Sequence, residues 1–250
     1  MDPVTNPYTP NAGAEPQALI GRDDQLKSFE LLLRRIERGM TEQSMIVSGL
    51  RGVGKTVLLG QFRSKALESG WVVVELEVSK HDDDQFRRDM SARLRTALFQ
   101  LSPKAKWNDR MRHAAAVLKA FTVHLDPMGG LTAGIDVEAA EGLADHGDLG
   151  LDLTDVLVAI GEAAKADRRG VVLLFDEIQF LSSGQLESVI QALHKLVQRK
   201  LPVTLVGAGL PQIAELAGDA KSYAERLFKF PTIGDLDPTD ARAALAEPAR

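Results

Sequence analysis

The chain has no cysteine among its 250 residues. That excludes disulfide scaffolds, thiolate metal sites, iron–sulfur clusters and cysteine nucleophiles. It also lacks long apolar runs. Stretches such as Val171–Phe175 fall far below the roughly 18–20 residues a membrane helix needs. The segment Met1–Pro10 has neither a basic n-region nor an apolar h-region, so it does not read as a secretory signal. Chain-wide positive charge is missing too. The net charge is -5, which excludes a generally basic nucleic-acid surface but not a local patch. No repeat of 20–50 residues is present. These absences point to a cytoplasmic protein.

What is present fits a folded chain. Hydrophobic residues make up 44% and charged residues 26%, near the globular average, which excludes wholesale disorder. The length suits one domain, or one and a half, at about 100–200 residues per domain.

Residues 1–17 hold four of the eleven prolines and read as an extended arm. Apolar positions at helical spacing predict helices over 22–39, 55–69, 84–101, 108–120, 152–167 and 184–199. Short apolar strands are expected at Ser44–Ser48, Trp71–Val78, Val171–Phe175 and Val203–Val206, with a last one near 228–233. Two short helices are expected near 211–217 and 219–227, and Asp237-Pro238 opens a final one. Asp82–Asp84 reads as a helix cap. Residues 121–150 alternate weakly around Pro127–Gly130, which predicts a β-hairpin insertion followed by an acidic, glycine-rich loop. Strands alternate with helices and carry no polar face. The expected fold class is therefore α/β, with a parallel sheet covered on both sides.

Gly49-Leu50-Arg51-Gly52-Val53-Gly54-Lys55-Thr56 matches G-x-x-x-x-G-K-[ST]. A chance match in 250 residues is on the order of 1 in 100, and the strand before it and helix after it lower that further. Glycines let successive N–H groups turn inward toward phosphate oxygens, and the helix adds its positive end. Lys55 can reach the β- and γ-phosphates of a nucleotide, and the Thr56 hydroxyl can ligate magnesium. Some 120 residues later, the strand Val171–Phe175 ends in Asp176-Glu177. An acid at such a strand end can hold Mg2+, a role assigned to Asp176. Glu177 is placed to activate water as a general base, which means hydrolysis.

Other phosphate-loop classes fit less well. Asp126-Pro127-Met128-Gly129 has the D-x-x-G spacing of GTPases, but Ser79-Lys80-His81-Asp82, a weak guanine-reading match, precedes it. The order is wrong for a GTPase. A small-molecule kinase should carry an arginine-rich lid and no glutamate beside the magnesium acid.

With both motifs placed, the chain resembles the AAA-type ATPases, and within them an origin-recognition-like subgroup. Ile20-Gly21-Arg22-Asp23 is similar to a segment that packs against adenine in that subgroup. Gly49–Thr56 and Asp176-Glu177 are similar to its Walker A and Walker B motifs. Pro202–Pro211 is similar to its fourth strand and the loop after it, and Tyr223–Phe228 to the segment where Arg226 would be an arginine finger. Asn6–Pro10 is similar to its N-terminal arm. The resemblance implies a three-layer P-loop NTPase fold of the AAA type with sheet order 5-1-4-3-2. It implies a core over 18–236 and the start of a helical lid over 237–250. It further implies ATP and Mg2+ as ligands, a finger at Arg226 that reaches the γ-phosphate in a neighbour or in the same chain, self-association, and any protein or DNA partner held by regions beyond residue 250. One departure bears on rate. The subgroup's fourth strand usually ends in a polar residue that positions water, and here the end reads Gly207-Ala208-Gly209. That leaves two readings, a slow ATPase or a signal-transducing (STAND-like) switch with negligible turnover.

The remaining signals are weaker. The five histidines are scattered and form no ligand cluster. The arginines of 87–95, Arg34-Arg35 and Arg199-Lys200 read as solvated helix faces. Gln179 could touch the attacking water or simply end a strand.

Overall fold

A computed structural model describes residues 19–247, except 124 and 126–129. Five parallel strands form one sheet. They are β1 (Ser44–Ser48), β2 (Val72–Glu77), β3 (Val171–Asp176), β4 (Val203–Gly209) and β5 (Phe228–Lys229), in the order β2-β3-β4-β1-β5. Read from the other edge, this is 5-1-4-3-2, as the resemblance implied. The register places Phe175 beside Gly207 and Ser48 beside Gly209. The C-terminal ends of β1, β3 and β4 therefore share one edge.

Alternate residues of each strand feed two apolar layers. Met45, Val47, Val172, Leu174, Val206 and Ala208 pack against α1 (Asp23–Glu37) and α2 (Lys55–Glu68), where Phe29 and Phe62 stack at 4.5 Å. Ile46, Leu173, Phe175 and Leu205 face the other way. There they meet α3 (Asp83–Leu101), α4 (Asp109–Thr122), α5 (Leu149–Ala166) and α6 (Ser183–Gln198). Burial on both faces explains why β3 reads as an unbroken apolar run up to Asp176. Three shorter helices follow: α7 (Ile213–Ala220), α8 (Ala224–Leu227) and α9 (Pro238–Ala246). None of the described helices is long and apolar enough to cross a membrane.

Three expectations need correction or fall outside the described residues. The arm over 1–17 lies outside them. The hairpin insertion is not formed, since no described residue of 121–150 is in a strand. Instead α4 runs on through Phe121 and Thr122, because Val117, Leu118 and Phe121 share its buried face. The backbone after it finds partners on helices rather than on a second strand. Lys119 donates to the Val137 carbonyl at 2.8 Å, Arg95 to that of Ala133 at 3.2 Å, and Asp155 accepts from the Ala144 amide at 3.1 Å. Ile135 and Ala144 are single buried plugs, not alternating strand positions. Finally, β5 is shorter than its expected span of 228–233. Pro231 has no N–H to continue the ladder, and pairing with β1 resumes only as a bridge between Ser48 and Thr232.

Candidate nucleotide-binding site

The loop Gly49–Gly54 leaves the end of β1 and enters α2 directly. Gly54 caps that helix with φ of 91°, a left-handed conformation costly for a side chain with a Cβ. The caps of α3, α4, α5, α6 and α9 use the side chains of Asp82, Asn108, Asp148, Ser182 and Asp237. By contrast, α2 has neither a capping side chain nor an acid in its first turn. Its first N–H groups are left for an anion from outside the helix. Leu50 and Arg51 are exposed at the crest of the loop. Lys55 is buried, and its Nζ donates to the carbonyls of Gly49 at 3.0 Å and Leu50 at 2.8 Å. Its charge therefore sits inside the loop.

Thr56, one residue further along α2, donates its hydroxyl to Asp176 Oδ2 at 2.6 Å. The other carboxylate oxygen of Asp176 accepts from the Glu177 amide at 2.8 Å. Glu177 itself adopts φ of 52°, in the left-handed region. The sharp turn ends β3 and starts the 3-10 turn Ile178–Phe180. Glu177 is half-buried, and its Oε2 accepts from Gln179 Nε2. The described residues hold no cluster of three or more His, Asp or Glu suited to a metal.

Beside the loop lies a cavity of about 490 Å³, within the usual range for small-molecule sites. Ile20, Arg22, Gly52, Val53 and Gly54 line it, as the sequence suggests for Ile20, Arg22 and the loop. Leu19, Val57, Gly234–Leu236, Ala241 and Ala244 complete the wall. Leu19 adjoins the segment that the sequence points to, whereas Val57, Gly234–Leu236, Ala241 and Ala244 carry no signal in sequence, because they meet only when the chain after β5 brings α9 to the cavity. Arg22, besides lining the cavity, is held by backbone carbonyls. Its guanidinium is committed to the carbonyls of Gly21 (3.1 Å), Val53 (3.1 Å) and Gly234 (2.7 Å). It ties three walls of the cavity together.

Matching residues 18–206, an AAA ATPase domain model covers well over half the sequence. The chain belongs to the AAA ATPase domain family. The solved structures most like the domain include the Aeropyrum pernix Orc1 protein in complex with DNA. That match has 14% identity and a TM-score of 0.47, and covers 96% of this chain and 51% of the other. A second is Drosophila ORC bound to AT-rich DNA and Cdc6, with 13% identity and a TM-score of 0.43, covering 99% and 39%. The domain thus spans about half or less of those chains. No curated protein matches it.

Arg226 lies away from this edge. It is exposed in α8, and its carbonyl accepts from Gln43 Nε2 at 3.1 Å. Gln43 precedes β1, whereas the phosphate loop follows it. The two ends of a five-residue strand lie roughly 13 Å apart at about 3.3 Å per residue. Arg87, Arg93 and Arg95 are not simply solvated. Arg87 pairs with the buried Asp152 at 2.8 Å and covers the Phe121 ring. Arg93 and Arg95 donate to the carbonyls of Glu75 and Ala133.

Proposed function

We propose that this AAA domain binds Mg-ATP across the loop and the adjoining cavity, and hydrolyses it slowly to change conformation. The pairing of Thr56 with Asp176 at 2.6 Å carries this reading. Two oxygen donors 120 residues apart in sequence are already side by side, one of them the neighbour of Lys55. A magnesium ion usually keeps several waters and takes one or two protein oxygens plus phosphate. One hydroxyl and one carboxylate therefore fit it, and Thr56 and Asp176 would hold it. When bound, the ion supplies charge neutralisation on the phosphate oxygens.

The remaining chemistry belongs to the chain. Amides of Leu50–Thr56 and the Lys55 ammonium bind the phosphates, Lys55 giving up its two carbonyl bonds to do so. Ile20 and Gly21, with Val53 and Val57, bound the apolar space for the base. Glu177 accepts a proton from water as that water attacks the γ-phosphorus and the bond to the β-phosphate oxygen breaks. Arg226 serves a neighbouring copy in this reading, because it stands at the opposite end of β1 from its own loop.

Measuring ATP affinity with magnesium for wild type and Lys55→Ala tests the binding claim. The expected result is a large loss in the variant, and undiminished binding would refute it. A second reading, a switch with negligible turnover, draws support from the end of β4, where Gly207-Ala208-Gly209 offers no polar side chain. Nucleotide that copurifies and is not turned over would favour it.

A further inference from the structure

Gln179 spans the gap between the Walker B turn and the end of β4. Its Nε2 donates to Glu177 Oε2, and its Oε1 accepts from the Leu210 amide at 3.0 Å. Both ends of one amide are therefore fixed, one on the base and one on the backbone just past β4. The missing polar side chain on β4 has a cause in the same place. A Cβ at Gly209 would stand 2.8 Å from Gln179 Oε1 and 3.0 Å from Ile178 Cγ2. A Cβ at Gly207 would stand 2.9 Å from Ile178 Cδ1. The side chains of Ile178 and Gln179 in the 3-10 turn fill the space that a side chain on Gly207 or Gly209 would enter. The space a β4 side chain would fill is occupied from the other side, by Gln179.

We infer that Gln179 is the positioning residue of this site, holding the Glu177 carboxylate in its working orientation in place of a polar residue on β4. The inference rests on the reading of Glu177 as general base. The geometry suits the role. A carboxylate has about four lone-pair positions. One hydrogen bond from Gln179 fixes its rotamer and leaves the others free to take a proton from water. The Leu210 bond in turn fixes the amide, so that Nε2, not Oε1, faces the base. In the sequence, the place of Gln179 two residues after Glu177 suggests contact with the attacking water but not a hold on the base itself.

The test is single-turnover hydrolysis of Mg-ATP with the chain in excess, paired with equilibrium ATP binding and thermal melting. The chains compared are wild type, Glu177→Gln, Gln179→Leu, Gln179→Ala and the double variant Gln179→Ala/Gly209→Asn. Leucine keeps the bulk of glutamine and removes both hydrogen bonds, so folding should be retained. Alanine gives a second variant should leucine disturb the turn. The expected result is a rate lowered roughly ten- to a hundredfold in both single Gln179 variants, the scale of a misplaced base. ATP affinity should stay within about twofold of wild type, since the amide touches no phosphate-loop residue. The double variant returns an amide to the same space from β4 and should recover part of the rate. An unchanged or faster rate in the Gln179 variants overturns the inference. So does a rate loss matched by an equal loss of affinity, or a double variant no faster than Gln179→Ala. If wild type hydrolyses no faster than Glu177→Gln, the base assignment itself falls and takes this inference with it. Dependence on Glu177 without dependence on Gln179 overturns the inference alone.

Discussion

Thr56 and Asp176, 120 positions apart in sequence, are joined by a hydrogen bond of 2.6 Å at the C-terminal edge of the sheet. The sheet order makes this contact possible. Here β4 lies between β1 and β3, and α2 starts above it, so Thr56 has only one strand to cross. Removing the carboxylate should uncouple nucleotide from magnesium. ATP affinity of wild type should be higher with magnesium than with a chelator. In Asp176→Ala that difference should shrink by about tenfold or more, one lost charged ligand being worth at least about 1.4 kcal/mol. Titrations under both conditions check this, and an undiminished magnesium effect would contradict it.

Arg22 braces the wall of the cavity that it lines. Its three carbonyl partners lie on the segment before α1, on the phosphate loop and on the segment after β5. Arg22→Ala should lower stability by at least about 1.5 kcal/mol, the low end for hydrogen bonds from a charged group, and weaken ATP binding. Arg22→Lys should restore little, because a single ammonium cannot reproduce the planar fork. Urea unfolding of the three proteins decides the point. Full recovery by lysine would mean that charge alone matters.

Arg226 should not influence nucleotide bound to its own chain. At concentrations where the chain is monomeric by sedimentation, Arg226→Ala should bind ATP as wild type does. Its effect should appear only where copies associate, as a slower turnover. A loss of affinity in the monomer would place the residue at its own site and contradict the separation along β1.

His146 gives a pH dependence of known sign. Its ring bonds to Asp155 at 3.1 Å, and that bond, with the nearby charges of Asp152 and Asp145, raises its pKa despite the opposing effect of desolvation. The folded chain therefore holds this proton more tightly than the unfolded chain does. The stabilising contribution is complete below the unfolded value of about 6.5. It fades as pH rises through the higher folded value. Because Asp155 also accepts from the Ala144 amide, the loop before α5 should loosen over that range. Amide exchange at Ala144 should speed up more between pH 6 and 8 than intrinsic exchange does. His146→Gln should remove the excess.

The parts of this fold that were legible in sequence are those where one physical requirement dominates. Val171–Asp176 is buried on both faces, so every position is apolar until the acid, and its strand is unmistakable. The phosphate loop is legible because only glycine tolerates the conformation at Gly54. Reading failed where long-range partners decide the outcome. Leu131–Val137 looks weakly alternating, yet this segment and the loop after it are held by side chains of α3, α4 and α5 that no local pattern announces. Arg93 and Arg95 look like a solvated face but cap carbonyls of β2 and of the loop after α4. In the candidate site, Lys55, Thr56, Asp176 and Glu177 are brought together as their motifs suggest. The clamp made by Arg22 and the bridge made by Gln179 depend on close approaches from β4, β5 and their loops, which sequence spacing does not encode.

The central claim is that this site uses Glu177 to direct water at bound ATP. Single-turnover hydrolysis by wild type and Glu177→Gln, with equal nucleotide occupancy established first, tests it most directly. The account predicts that the variant retains ATP and loses hydrolysis by about a hundredfold or more, the scale of a lost general base. Equal rates in the two proteins would contradict it.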